Sequence, residues 1–420
     1  MSPTLATGAG TRPLRAVTAV CACGSLALLM LAPRLAAWLA VPLALAGLAR
    51  LIAQRRLERS EREFLLLAAI LPLAYLLNMA VHGWDPGLLE RPSRLLIGAL
   101  VVLWLSRIGL PRDALFWSVV ACALSAAAVA FYYTEVQGLP RAHGRWNAVP
   151  FGNFSLLFGF VALAGALCLR GRNGARTLHV VAGLIAAAAG LYASLQSGTR
   201  GGWLAIPPLT VLLVFLALPR LTLARRLLLC LLLLAGAGAA LSASPEARAR
   251  LGESVREIGV VMAAPEDAAI TSSIGIRLAM WRWGLERFGD HPWLGIGIAN
   301  YREYRQAAVA AGQMPPDFLL LANLHNELIS NLALGGLVGG TAVLAFWLLS
   351  WRFFHARLRR AGDDQERFHA LFGLLATLGT AMFSMTEGLF GTSPGTVALA
   401  LTLALPAGAL CHLRNAAEVR

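Results

Sequence analysis

The sequence predicts an all-α polytopic membrane protein of about twelve transmembrane helices, with one long, mainly helical outer loop. Three observations point there. The 420 residues are 58% hydrophobic and only 14% charged, with a mean hydropathy of +0.66; soluble domains run near 45–50% apolar and about 25% charged. The apolar residues fall into runs long enough to cross a bilayer, and twelve spans of about 20 residues would use about 240 residues, or about 57% of the chain. The basic residues, finally, are distributed unevenly between alternate connections.

The candidate spans are 16–33, 35–53, 64–81, 93–106, 114–134, 153–169, 178–195, 203–218, 227–242, 327–350, 368–388 and 394–412. The first follows Arg12 and Arg15 and precedes further spans, so it reads as a retained helix and not as a cleaved leader. A Pro33-Arg34 turn separates it from the second. The fourth is short and relies on its flanks. All 36 basic residues are Arg. The connections 54–63, 107–113, 170–177, 219–226 and 351–367 hold 17 of them, whereas the short connections on the other side hold five: Arg34, Arg91, Arg141, Arg145 and Arg200. Arg-rich short loops stay in the cytoplasm. Both termini are therefore expected inside, and the net charge of +14 is a topological signal and not a nucleic-acid footprint.

The chain divides into 1–242 with nine spans, an outer segment 243–326, and 327–420 with three more spans. The outer segment carries eight Arg against nine acids and several large apolar residues. Arg277, Trp281, Gly284, Leu285 and Phe288 fall at helical spacing on one face. Amphipathic helices lying on the bundle are expected there. The six Cys (21, 23, 122, 168, 230 and 411) sit in or beside apolar runs and read as small packing residues. His82, His179, His291, His355, His369 and His412 form no metal-ligand spacing, and there is no phosphate-binding loop, dinucleotide fingerprint or nucleophile elbow.

Charged groups near membrane depth are costly and mark function. Arg200 lies in the turn Gln196-Ser197-Gly198-Thr199-Arg200-Gly201-Gly202-Trp203. Its glycines allow a ligand close approach, and a guanidinium fork fits phosphate; the same Arg at a helix end also reads as one snorkelling to the interface. Arg277 opens the loop helix, either as a ligand or on a solvated face, with Arg282 about 140° further round. Leu324-His325-Asn326-Glu327 stands at the entrance of the tenth span, nine residues before Gly336-Leu337-Val338-Gly339. An imidazole there is a helix-start residue or a general base at neutral pH. The Gly-x-x-Gly is expected to let the span pack closely on a neighbour. Arg141, His143, Arg145 and Glu387 are weaker outer-side candidates, each also readable as structural or interfacial.

His325-Asn326 with its Gly-x-x-Gly resembles the motif of the O-antigen ligase family (WaaL). The Ser-Gly-Thr-Arg-Gly-Gly turn, the Arg277-x-x-x-Trp281 helix and Asp290-His291-Pro292-Trp293-Leu294-Gly295-Ile296-Gly297 resemble that superfamily too, most strongly over 185–345. The superfamily also holds Wzy polymerases and PglL-type protein O-oligosaccharyltransferases, all GT-C-like membrane glycosyltransferases. The ligase variant is favoured by the single dominant outer loop and by the absence of a second large loop with an Arg-x10-Gly repeat. The resemblance implies a periplasmic active site in the bacterial inner membrane. O-antigen polysaccharide on undecaprenyl diphosphate would pass to a sugar hydroxyl of the lipid A–core oligosaccharide, completing lipopolysaccharide. It implies no cofactor, metal or nucleotide. His325 would be the base of a single inverting displacement and Arg200 and Arg277 the diphosphate clamp. Asn326 would support the histidine, with Arg141 and Arg145 as further donors towards acceptor phosphates and Arg282 as a supporting residue. A lateral opening beneath the outer loop would admit the two lipids. A transporter is the alternative from another class, but the halves show no internal symmetry and the charges cluster at one surface.

Overall fold

The computed structural model describes residues 12–54, 56–169, 176–263, 272–390 and 393–418. Among these the structure is helical, without a strand: α1 (Arg12–Ala27), α2 (Pro33–Ala53), α3 (Arg59–His82), α4 (Ser93–Ile108), α5 (Ala114–Phe131), α6 (Ala148–Cys168), α7 (Arg176–Ser197), α8 (Arg200–Trp203), α9 (Ile206–Ala217), α10 (Leu223–Ala243), α11 (Pro245–Ala263), α12 (Ser273–Asp290), α13 (Tyr301–Ala310), α14 (Glu327–Leu358), α15 (Asp364–Phe383) and α16 (Ser393–Glu418).

Each of the twelve expected spans coincides with a helix, but among the described residues nine units are long and apolar enough to cross a membrane. They are α2, α3, α5 with the π turn that continues it, α6, α7, the α8–α9 pair, α10, α14 and α16. Helices α1 and α4 are only 16 residues each, and α15 opens on Asp364, Glu366 and Arg367. Pro33 begins α2 and does not lie in the turn before it, because a proline at the first helical position forfeits no hydrogen bond. The expected span 368–388 ends early, at Phe383, because the next residues turn away to meet α14.

The core of the bundle is built around α6, whose residues are almost all buried. It packs on α7 through glycines: a methyl on Gly190 would lie 2.4 Å from the Ser155 carbonyl oxygen, and one on Gly183 2.8 Å from that of Ala162. Small residues let helix backbones approach where lipid offers no hydrophobic driving force. Only Cys230 of α10 is buried, so this helix stands at the periphery.

A second apolar cluster, with Met280, Trp283, Tyr301 and Phe318 at its centre, joins the outer segment to the start of α14. The amphipathic expectation for α12 holds with its inward face rotated: Gly284 of the expected face is buried and Arg277, Trp281 and Phe288 are half-buried. Met280, Trp283 and Gly284 are buried, whereas Leu285 is exposed. The sequence pattern fits two overlapping stripes, and the packing partner chose between them.

Helix α14 is interrupted at Gly336, whose φ of +59° and ψ of −151° lie outside any helix. The segment Pro292–Gly297 takes over the broken backbone bonds: Ile296 and Gly297 donate to the Ala333 and Leu334 carbonyls at 3.0 Å, and Leu337 and Val338 donate to those of Pro292 and Trp293 at 2.7 and 3.3 Å. A side chain at Gly336 would strike the Trp293 backbone at 2.4 Å. The first glycine of the Gly-x-x-Gly thus serves a helix break, where close helix–helix packing was expected. Non-helical backbone is tolerated at such depth only where protein satisfies it. Asn78 of α3 seals the junction, donating to Leu294 and Leu334 at 2.9 and 3.0 Å and accepting from Ile298 at 2.9 Å.

Candidate active site

The site forms where α14 begins. Asn326 caps that helix, its side-chain oxygen accepting from the Ile329 amide at 3.1 Å while its amide donates to the Met385 carbonyl at 3.2 Å. Glu327 pins both ends of the 384–390 segment. Its amide donates to the Ser384 carbonyl at 2.8 Å, and its carboxylate accepts from the Phe390 amide at 3.1 Å and from Asn331 at 2.9 Å. Fixing that segment beside residue 325 places Glu387 against the histidine.

His325 Nδ1 lies 3.3 Å from Glu387 Oε2, with the imidazole 22% exposed and the carboxylate 5%. A buried carboxylate can only accept, so the neutral ring carries its proton on Nδ1 and presents the Nε2 lone pair. The His325 backbone is held at φ +49°, a region few residues other than glycine adopt. Its amide donates to Asn323 Oδ1 at 2.8 Å, and Trp281 Nε1 donates to the Leu324 carbonyl at 2.9 Å. These neighbours over-determine a conformation that would otherwise relax.

The arginine turn is packed onto the same segment. A methyl on Gly201 would lie 2.3 Å from Thr386 Oγ1, and one on Gly202 would lie 2.2 Å from Asn153 Oδ1. Thr199 Oγ1 donates to the Ala148 carbonyl at 3.0 Å, closing the turn on α6. Arg200 at the head of α8 reaches α11: it donates to Ser254 Oγ at 2.7 Å and lies 3.6 Å from Glu257 and 3.8 Å from Glu253. Glu257 also accepts from the Ile274 amide at 2.9 Å, tying α11 to the first turn of α12, just before Arg277.

Arg141 donates through Nε to the Ser197 carbonyl at 2.7 Å. Its pKa is lowered by burial first, then by the positive charges of Arg250, Arg200 and Arg277. Burial also lowers that of Arg277, opposed by the Glu387 carboxylate, with Arg200 lowering it further and Glu257 raising it. The Arg277 guanidinium makes no hydrogen bond or ion pair with any described residue. Four guanidiniums thus share one electrostatic environment with Glu253, Glu257 and the His325–Glu387 pair, and Glu253 bridges Arg250 at 3.1 Å. The four positive charges exceed the three carboxylates by one, and a multivalent anion fits the planar donors left open on Arg277 and on the terminal nitrogens of Arg141.

Of the residues singled out in the sequence, Arg141, Arg200, Arg277 and His325 converge. Arg282 does not: it is exposed and pairs with Glu286 at 3.3 Å along its own helix. Arg145 is exposed beside Leu31, Tyr132 and Tyr133, in a separate hollow. Asn326 is a helix cap that supports the histidine loop. Arg250, Glu253, Ser254 and Glu257 were missed, since an α11 rich in alternating charge reads as a solvated helix. Glu387 carried a weak signal, an acid at the end of an apolar run.

A bundle of apolar helices with a charged, partly buried site at one end defines a multi-pass membrane protein. Residues 182–345, which contain the arginine turn, α11, α12 and His325, match the O-antigen ligase domain family. That domain implies glycosyl transfer of the ligase or polymerase kind, on substrates that join a polysaccharide to a lipid. A similar protein is an uncharacterized protein of Haemophilus influenzae, 22% identical over 324 residues, covering 77% of this chain and 80% of that one.

Proposed function

We propose that this protein is an O-antigen ligase of the bacterial inner membrane, with the His325 end of its bundle in the periplasm and both termini in the cytoplasm. It transfers O-antigen polysaccharide from undecaprenyl diphosphate to a sugar hydroxyl of the lipid A–core oligosaccharide. The observation that carries this reading is the convergence of the His325–Glu387 pair with Arg141, Arg200 and Arg277.

The chemistry follows from the residues. His325 Nε2 takes the proton of the acceptor hydroxyl as its oxygen attacks the anomeric carbon. The bond from that carbon to the diphosphate oxygen breaks, and the electron pair leaves with undecaprenyl diphosphate. Glu387 stabilises the imidazolium, as the carboxylate does in other carboxylate–histidine pairs. Arg200 and Arg277, with Arg141 beside them, compensate the charge that develops on the leaving group. One displacement inverts the anomeric carbon. The isoprenoid has a route as well: an apolar cleft of about 260 Å³ between α6, α7, α9 and α10 is lined by Leu156, Phe160, Leu184, Ile206 and Leu233. Ile206 begins the helix that follows the Arg200 turn.

The deciding experiment offers the purified protein a polyprenyl-diphosphate glycan with each acceptor class. Core-linked glycan is the expected product. Longer lipid-linked chains would make the protein a polymerase, and a glycosylated polypeptide would make it a protein O-oligosaccharyltransferase.

A further inference from the structure

At the end of the bundle remote from His325, the first turn of α3 and the last turns of α14 and α16 enclose a cleft of about 460 Å³. On α14 the cleft begins at Leu349, well down the helix from Glu327 beside the site above, roughly 33 Å away if the helix were straight. Five arginines line it (Arg59, Arg352, Arg357, Arg360 and Arg414) against two glutamates, Glu58 and Glu63. The acids are largely committed: Glu63 lies 3.1 Å from Arg59 and 3.2 Å from Arg357, and Glu58 completes the capping box of α3. Arg357 is buried and fixed, donating to the Phe353 carbonyl at 2.8 Å with its guanidinium over the Phe353 ring.

The guanidiniums of Arg352, Arg360 and Arg414, by contrast, make no hydrogen bond or ion pair with any described residue. Some arginines at this end are tied to the protein, Arg107 to Gln54 at 3.0 Å, Arg367 to the Leu216 carbonyl at 2.6 Å and Arg226 to the Pro219 carbonyl; Arg112, Arg220 and Arg225 are also without a side-chain partner among the described residues but line no such cleft, so it is the shared cleft that sets Arg352, Arg360 and Arg414 apart. Holding a loop on one side of the membrane requires only the number of such charges, not a cleft. Beside Ser60 and Asn415 the rest of the wall is apolar: Leu66 and Leu349 are exposed, and Leu67 and Phe353 are buried behind them, on α3 and α14 as these run into the spans.

We infer that this cleft binds the phosphodiester headgroup of an anionic glycerophospholipid, with Arg352, Arg360 and Arg414 on the phosphate and an acyl chain against Leu66 and Leu349. Guanidinium forks match phosphate oxygens, basic clefts between transmembrane helices suit anionic headgroups, and the leucine wall suits a chain that a free anion lacks.

The test uses the full-length protein, purified and stripped of lipid. Thermal unfolding and native mass spectrometry are followed with added phosphatidylglycerol, with phosphatidylcholine of the same acyl chains, and with inorganic phosphate. The expected result is saturable stabilisation and a retained lipid with phosphatidylglycerol alone. The triple variant Arg352→Gln, Arg360→Gln, Arg414→Gln should bind it roughly a hundredfold more weakly. A control with Arg112→Gln, Arg220→Gln and Arg225→Gln, which removes equal charge outside the cleft, should bind normally. Equal loss in the control would overturn the site in favour of diffuse surface charge. Equal binding of the two lipids by the unmodified protein would overturn the headgroup assignment even if the triple variant did not fold. Equal stabilisation by inorganic phosphate would leave an anion site and remove the lipid.

Discussion

Two acid–base pairs stand at opposite ends of this bundle, and they are built differently. Arg50 and Glu61 meet at 2.9 Å with side chains 6% and 0% exposed, and Ser106 donates to the same carboxylate at 2.6 Å. Arg50 also donates to Ser106 Oγ at 2.9 Å and to the Leu103 carbonyl. Most of the donors and acceptors of that pair are used, so it welds α2, α3 and α4. His325 and Glu387 meet at 3.3 Å, and the imidazole stays reachable with one nitrogen uncommitted. Around it, the Arg277 guanidinium and the terminal nitrogens of Arg141 are free of described partners. A closed pair gives structure, while an open one held by backbone anchors leaves a nitrogen available for the proposed proton transfer.

The comparison can be broken in graded steps. The largest effect is expected at His325→Ala, which should slow glycan transfer by about 10²–10⁴-fold in protein that still folds. A near-normal rate in a purified transfer assay would remove the base assignment. At the other end, Glu61→Ala strands a buried guanidinium and should destabilise by roughly 3–5 kcal/mol. A thermal midpoint equal to that of the parent would show that Arg50 finds water or another partner.

Arg277→Lys keeps the charge but loses the fork, and should lower donor kcat/KM by about 10²-fold. Unchanged donor kinetics would take Arg277 out of the clamp. Glu387→Gln keeps the hydrogen bond and removes the charge that assists it; the loss of about 1–2 kcal/mol is roughly tenfold in kcat. That ordering is the sharper test, because an effect on stability larger than on rate would make Glu387 a structural residue like Glu61. The smallest change is expected at Arg282→Gln, within about twofold, since an exposed ion pair along one helix contributes little.

Much of this was legible in the chain itself. Apolar run length defines membrane helices regardless of their neighbours, and the surplus of Arg in alternate connections sets the expected orientation. His325, Arg200 and Arg277 were recognisable because their surroundings are local: a histidine before a helix start, an arginine between glycines, an arginine opening a loop helix. The ends of the elements were less legible. The span ending at Phe383 gives way to a segment whose hydrogen bonds belong to Glu327, far away in sequence. The break at Gly336 depends on Pro292–Gly297 arriving to take its backbone bonds.

The sequence by itself determined the solvent of this protein and the residue types available for chemistry, because hydrophobicity and side-chain chemistry are properties of short stretches. Only the tertiary structure decided which of those residues meet. It selected Glu387 as the partner of His325 across 62 positions, brought Arg250 and Arg141 beside Arg200 and Arg277, and left Arg145 and Arg282 outside. It also chose which stripe of α12 faces inward. Pairings between distant elements are set by how whole helices pack, and a single chain's periodicity carries no record of its neighbour.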